Sequence, residues 1–213
     1  ANRGSISTGP YDIDNSLKLE PDNSENMYRA LHASTSTTTF TQSQWVKRTE
    51  IGGSQLLYMR GVAGNESVIL RFATESASYP EALQVDIGAS GTNSRSYTKA
   101  AFRDTAAFYH IVLAVDTTQA TATDRFKLYV NGVLEDDYAS RANPAQNFAM
   151  EVASAKHRYG AYNDTDNYAP FAGYLAECHY IDGSQLAPTE FGEFDDDSGI
   201  WKPKAYAGSY GTG

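Results

Sequence analysis

The chain has 213 residues, 20% of them charged, and a formal net charge of −9 at pH 7. This acidic balance argues against nucleic acid and anionic membranes as partners, because phosphate groups bind basic surfaces. The single cysteine, Cys178, excludes an internal disulfide, and no apolar run reaches the roughly 18 residues that a membrane-spanning helix needs. The length suits a single all-β domain.

Short segments rich in Val, Ile, Tyr, Phe and Thr alternate with Gly, Asn, Asp and Ser along the chain, a pattern typical of strands and turns. The pattern predicts strands over residues 16–20, 25–31, 37–48, 55–62, 67–74, 83–87, 95–102, 108–116, 125–130, 133–138, 157–162 and 173–181. Many short strands without a helical period favour a β-sandwich or a β-barrel.

Three local signals between residues 102 and 188 favour the sandwich and predict individual elements within it. Asn131-Gly132 between two apolar strands predicts a type I′ hairpin, since both residues tolerate positive φ. Residues 110–115 are nearly all apolar except His110, which predicts a central strand covered on both faces. Pro188 predicts one short helical turn near 188–193. We therefore expect an all-β, two-sheet antiparallel jelly-roll sandwich.

The two ends differ in composition from the body of the chain. Residues 1–10 are rich in Gly, Ser and Thr, whereas residues 195–213 are acidic and then rich in Gly, Tyr and Pro. We predict a flexible N-terminal arm over 1–10, the sandwich over 11–194, and a linker over 195–213 leading toward a further segment.

One loop combines calcium-type ligands with aromatic rings, and its candidate site residues are Tyr162, Asn163, Asp164, Asp166, Asn167 and Tyr168. Ca²⁺ takes about six to eight oxygen ligands from short acidic loops, so Asp164 and Asp166 are candidate calcium ligands. The alternative is a turn whose Asn and Asp side chains bond their own backbone. The flanking tyrosines, and Tyr79 in another loop, are candidate sugar contacts, with packing as the alternative.

The remaining reactive residue types favour structural roles. Cys178 and His179 are adjacent in a strand, so their side chains point to opposite faces, and we expect Cys178 in the core. His110 begins a buried strand and is expected to be a hydrogen-bonded structural histidine. The histidines lack the spacing of a zinc site. Most aromatic rings are expected in the core, and those predicted to lie within strands are Trp45, Phe72, Phe108, Phe126 and Tyr174.

Several phrases resemble laminin-G-like, concanavalin A-like domains of tail-fibre and other virion proteins of marine and cyanobacterial phages. They are IDNSLKLEPDNSENMYR from Ile13, FTQSQWVKR from Phe40, FRDTAAFYHIVLAVDTTQATATDRFKLYVNGV from Phe102, FAGYLAECHYIDGSQLAPTEFGEFDDDSGIWKP from Phe171, and the GSYGTG end. The resemblance implies a jelly roll that serves as a non-enzymatic structural module for particle assembly and host-surface attachment. It also implies synthesis in the host cytoplasm, a place in the virion, contacts with other virion proteins, and a homo-oligomer, expected to be a trimer.

Two other functions stay open beside this one. The first is a carbohydrate-binding lectin domain that binds a host-surface glycan as the receptor, either with or without Ca²⁺. The second is a hydrolase, since the superfamily includes laminarinase-like enzymes with Glu-x-Asp-x-x-Glu on a strand. The closest string here, Glu193-Phe-Asp195-Asp-Asp-Ser198, lacks the final Glu, and Glu135 to Asp137 do not follow the pattern either. We expect solvated or turn-forming acids there and no enzyme activity.

Overall fold

The computed structural model describes residues 11–23, 25–30, 36–62, 65–73, 78–88, 94–150, 156–162 and 169–211. The predicted arm over 1–10 lies outside the described residues. The strands are β1 Leu17–Leu19, β2 Met27–Ala30, β3 Thr39–Arg48, β4 Gln55–Val62, β5 Asn65–Ala73, β6 Ala82–Ile87, β7 Ser94–Ala101, β8 Tyr109–Asp116, β9 Phe126–Val130, β10 Val133–Leu134, β11 Tyr138–Ser140, β12 Lys156–Tyr159, β13 Gly173–Asp182, β14 Gly192–Phe194 and β15 Trp201–Pro203. Short 3₁₀ helices cover Pro21–Asn23, Ala122–Asp124 and Pro188–Glu190.

The strands form two large antiparallel sheets and one small hairpin. The six-stranded sheet has the order β1-β13-β3-β8-β9-β10, and the seven-stranded sheet has the order β11-β7-β6-β5-β4-β12-β2. Strands β14 and β15 pair with each other. This architecture confirms the predicted all-β, two-sheet jelly-roll sandwich, and the turn at Pro188–Glu190 confirms the predicted short helical turn.

The core fills the space between the two sheets with alternate side chains of each strand. In β8, Ile111, Leu113 and Val115 are fully buried, and Leu70 and Phe72 of β5 belong to the same cluster from the opposite sheet. Each such side chain contributes roughly 1.5–3 kcal/mol when it leaves water. Strand β8 pairs with β3 on one side and β9 on the other. The predicted central strand is therefore confirmed.

The hairpin between β9 and β10 is the predicted one. Asn131 has φ 48° and Gly132 has φ 80°, as a type I′ turn requires. A side chain on Gly132 would collide with the ring of Trp201, so the glycine is also needed for packing. Beyond the turn, the strand predicted over 133–138 is two strands. β10 pairs with β9, whereas β11 pairs with β7 of the other sheet, so the chain crosses between sheets at residues 135–137.

The chain beyond Ser184 covers the outer surface of the six-stranded sheet. Phe191 packs with Val112 and Ile181, and Trp201 packs with Trp45 and Ala176. These contacts include part of the segment predicted as a linker. Strands β14 and β15 were not predicted, because each has three residues and shows no readable alternation.

Two aromatic residues differ from the predicted core. Phe108 is 38% exposed because it precedes the first residue of β8, so its prediction as a core residue is wrong. Tyr174 is only partly buried on β13. Trp45, Phe72 and Phe126 are buried, which confirms the prediction for these three.

Candidate functional site

The surface of the seven-stranded sheet that points away from the core is the candidate site, and we call it the outer face. Leu70, Leu83 and Val85 point into the core, so the residues that alternate with them point outward. The described outward-facing side chains are Tyr28, Leu56, Met59, Ile69, Arg71, Gln84, Asp86, Arg95, Tyr97, Lys99, Lys156 and Arg158. Over β4 and β5 the chain itself covers this face, since Leu56, Met59 and Ile69 are buried against Tyr162 and Ala169. Over β7, Arg95, Tyr97 and Lys99 are exposed or partly exposed, so this part of the outer face is the part placed for a ligand.

A polar network of four side chains crosses this face over β5, β6 and β7. Arg71 Nε donates to Gln84 Oε1 over 3.1 Å, and Gln84 Nε2 donates to Asp86 Oδ1 over 3.0 Å. Arg71, Gln84 and Asp86 are all buried. Buried polar groups are costly unless they are hydrogen-bonded, so these bonds hold the side chains in fixed positions.

Arg95 completes the polar network and carries it to the solvent. Its Nε lies 3.1 Å from both carboxylate oxygens of Asp86, and its Nη2 lies 2.8 Å from Asp86 Oδ2. The Asp86 side chain is 2% exposed, whereas the Arg95 side chain is 46% exposed. The hydrogen bonds that Arg95 donates to the Asp86 carboxylate raise the pKa of the guanidinium group. A paired, charge-assisted contact of this kind fixes the plane of the guanidinium group.

Two tyrosine rings beside the polar network form an aromatic platform. The rings of Tyr79 and Tyr97 stack with centroids 4.7 Å apart and an interplanar angle of 25°. Tyr97 lies directly opposite Gln84 in the sheet, and both tyrosines are partly exposed. Tyr79 was a candidate from the sequence, but Tyr97 was not, because it lies within a strand. The signal that points to it is the alternation of Arg95, Tyr97 and Lys99 along one side of β7.

The loop predicted as a calcium and glycan site starts and ends on this face. Tyr162, 9% exposed, packs with Leu56, Met59, Ile69 and Ala169. The backbone N–H of Leu56 donates to the carbonyl of Ala169 over 2.8 Å. The other predicted site residues lie outside the described residues, and they are Asn163, Asp164, Asp166, Asn167 and Tyr168. The calcium and glycan roles of the loop stay predictions.

A buried Ser–His pair lies on the opposite sheet, but its geometry is structural. Trp201 Nε1 donates to His110 Nδ1 over 3.0 Å, so the proton of the neutral ring is on Nε2, which donates to Ser43 Oγ over 2.8 Å. Burial lowers the pKa of His110 to about 3. In this tautomer His110 has no lone pair directed at Ser43, so the pair cannot activate the hydroxyl. The predicted structural role of His110 is confirmed.

The other candidate groups also have structural contacts. Asp195 accepts hydrogen bonds from the Ser198 backbone over 2.9 Å and from Lys202 Nζ over 3.0 Å, as a turn-forming acid does. Cys178 packs against the core and burial raises the pKa of its thiol to about 12, whereas His179 contacts Phe191 on the opposite side. In the described ranges, no group of three or more His, Cys, Asp and Glu residues is placed to hold a metal ion. No helix within those ranges has the length and apolar character needed to cross a bilayer.

Comparison with known proteins gives a family match and several similar folds. The family model Laminin_G_3, described as the concanavalin A-like lectin/glucanases superfamily, matches residues 22–187. Among curated proteins, no sequence matches this chain significantly.

Three solved structures illustrate the likeness. Domains LG4-5 of the mouse laminin α1 chain align with TM-score 0.57 and 12% identity over 95% of this chain and 48% of the laminin chain. A putative carbohydrate binding protein from Bacteroides ovatus aligns with TM-score 0.55 and 18% identity, over 84% of this chain and 47% of that one. Domain 4 of the Geobacillus stearothermophilus arabinanase AbnA, solved with arabinotriose, aligns with TM-score 0.55 and 19% identity, over 77% of this chain and 70% of the arabinanase chain. The chain thus spans about half the length of the first two. At such low identity, the likeness concerns the fold alone.

Proposed function

Because the chain belongs to the concanavalin A-like lectin/glucanase superfamily, we propose that it is a non-catalytic carbohydrate-binding domain and that its outer face binds the glycan. The observation that carries this proposal is the aromatic platform of Tyr79 and Tyr97 beside a fixed, hydrogen-bonded polar network. Sugar rings present an apolar face and a rim of hydroxyl groups, so they need an aromatic surface and well-placed polar groups at once.

Each part of the outer face has a role in this proposal. A sugar ring stacks on one face of the Tyr97 ring. Tyr79 packs against the opposite face of the Tyr97 ring and holds it in place. Asp86 and Gln84 keep the Arg95 guanidinium oriented toward solvent, where it donates to hydroxyl oxygens. Because these donors are held in place before the ligand arrives, binding loses little side-chain entropy.

Two of the similar structures support a glycan as the ligand. One is described as a putative carbohydrate binding protein and the other was solved with arabinotriose. Both share the fold of this chain, and the outer face supplies the aromatic and polar groups that such a ligand needs.

The Tyr97→Ala variant tests the role of the platform. Loss of the stacking surface should weaken glycan binding about two- to tenfold, since an aromatic contact contributes roughly 0.5–1.5 kcal/mol. Binding is measured on a glycan array and then by calorimetry with the strongest binder. Phe194→Ala is the matched control, because Phe194 is an exposed ring on the hairpin over the other sheet. Equal affinity for Tyr97→Ala and the unmodified chain would refute this location.

We further propose the biological setting that the sequence resemblance implies, a trimeric appendage of a phage particle that contacts other virion proteins and the host surface. Exposed apolar side chains at the β9–β10 hairpin and β14–β15, namely Val133, Leu134, Phe194 and Ile200, support a contact with a further protein surface. Light scattering of the purified chain and immunogold labelling of particles test this setting. A monomer in light scattering, together with no immunogold label on particles, would contradict this setting.

A further inference from the structure

Strand β7 presents a positive, an aromatic and a second positive side chain in a row on the outer face. Arg95, Tyr97 and Lys99 alternate with inward-facing residues, so all three point outward. Successive members lie about 6.7 Å apart along the strand. Arg95 and Lys99 are exposed at either side of the Tyr97 ring.

The described strand residues of the outer face carry an excess of positive charge, in contrast to the chain as a whole. Among the described strand residues that point outward here, Asp86 is the one carboxylate. The cationic side chains of the same strand residues are Arg71 and Arg158, which are buried, and Arg95, Lys99 and Lys156, which are exposed or partly exposed. The complete chain has a net charge of −9, so this distribution is a local segregation of charge.

Both cations of β7 are placed to contact an additional anion. Asp86 engages Nε and Nη2 of Arg95, which leaves the Nη1 donors outside that ion pair. Lys99 Nζ lies 3.2 Å from Asp137 Oδ2, and both side chains are 68% exposed. An ion pair that is this exposed is weak, so an incoming carboxylate or sulfate group competes with Asp137 for the lysine.

We propose that the glycan bound at the outer face is an acidic polysaccharide, whose carboxylate or sulfate groups contact Arg95 and Lys99 on either side of a sugar ring stacked on Tyr97. This inference rests on the proposed function and names its substrate class. A neutral polysaccharide would use the ring and the hydroxyl contacts but would make no charge contact with Arg95 or Lys99. The two classes therefore differ in how binding depends on salt, because added salt screens charge contacts at the surface.

The experiment compares three probes with the full chain: alginate, which carries carboxylates, dextran sulfate, and neutral dextran. Affinity electrophoresis and calorimetry are run at about 50 mM and about 500 mM NaCl, between which the screening length falls severalfold. We expect binding to alginate or dextran sulfate that weakens with salt, and weaker binding to dextran. Preference for alginate or for dextran sulfate tells which acidic group is recognised.

Lys99→Gln locates the contact, and we expect it to weaken binding to the acidic probe about fivefold, the effect of one exposed charge contact. Arg95→Gln is a less suitable variant, because it removes the partner of the buried Asp86 carboxylate. The matched control is Lys127→Gln on β9 of the other sheet, which removes the same charge elsewhere. A thermal melt of each variant verifies that the fold is intact.

Three results would overturn the inference. Salt-independent binding to neutral dextran, as tight as to the acidic probes, would overturn it and leave the proposed function standing. An equal loss for Lys99→Gln and Lys127→Gln would show attraction by overall charge and no acidic site. If neither acidic probe binds at low salt, the inference fails. In that case, binding to a neutral glycan on the array would still support the proposed function, whereas binding to no glycan on the array would contradict it.

Discussion

Two buried histidines are hydrogen-bonded inside the folded chain, and their burial favours the neutral ring. His157 Nδ1 lies 2.8 Å from the Tyr58 hydroxyl, and His110 Nδ1 accepts from Trp201. Burial lowers the pKa of both rings to about 3, and at His157 the charges of Arg60 and Arg29 add to this effect. These histidines therefore link stability to pH.

Stability should fall as the pH drops below about 6.5, the histidine pKa in the unfolded chain. Between that value and the folded pKa of about 3, the unfolded state binds protons that the folded state excludes, so acid favours unfolding. Each histidine should cost roughly 1.4 kcal/mol per pH unit well below 6.5. Urea unfolding at about pH 7 and about pH 5 measures the difference. His157→Gln should reduce the slope, and equal stability at both pH values would contradict the burial of neutral rings.

Residue-level predictions succeeded where the strand context determined the environment. His110 was expected to be structural because it begins an apolar strand, and its two ring nitrogens are indeed paired inside the protein. Tyr97 was missed, because its stacking on Tyr79 depends on how the connection between β5 and β6 lies against β7. A strand position gives no indication of such a partner.

At the scale of elements, the β14–β15 hairpin depends on one buried side chain. The Trp201 ring packs with Trp45 and Ala176 and lies 5.8 Å from the His110 ring, centroid to centroid. The turn between β14 and β15 is closed by Asp195, which accepts a hydrogen bond from Ser198 and forms an ion pair with Lys202. The hairpin therefore covers the six-stranded sheet as a defined element.

Trp201→Phe should destabilise the chain by about 1–3 kcal/mol, because it keeps most of the apolar ring but leaves His110 Nδ1 buried and without its donor. Urea unfolding measures the change. Phe194→Ala in the same hairpin serves as control, with an expected cost of less than about 1 kcal/mol because Phe194 is exposed. An unchanged free energy of unfolding for Trp201→Phe would mean that residues after 194 do not pack on the sheet.

Long strands and tight turns were predictable at this scale, whereas very short strands were not. Asn131-Gly132 specifies its turn through local φ preferences, and β8 through an apolar run. In contrast, β10 and β11 follow one another so closely that they read as one strand, and only their pairing with different sheets separates them.

At the scale of the whole molecule, the two sheets have different surroundings. The C-terminal segment covers the six-stranded sheet with apolar contacts, whereas the seven-stranded sheet carries the polar network, the platform and the excess of positive charge. Alternation in the sequence predicted two packed sheets. It could not predict which outward surface the C-terminal segment covers, because that depends on the path of the chain after the last long strand.

The most direct test maps the ligand contact by NMR on the ¹⁵N-labelled chain with the strongest glycan-array binder. Binding at the outer face should cause amide shift changes on β6 and β7, around Gln84, Asp86 and Tyr97, and none on β14 and β15. Shift changes concentrated on β14, β15 and the six-stranded sheet, with β6 and β7 unaffected, would contradict it.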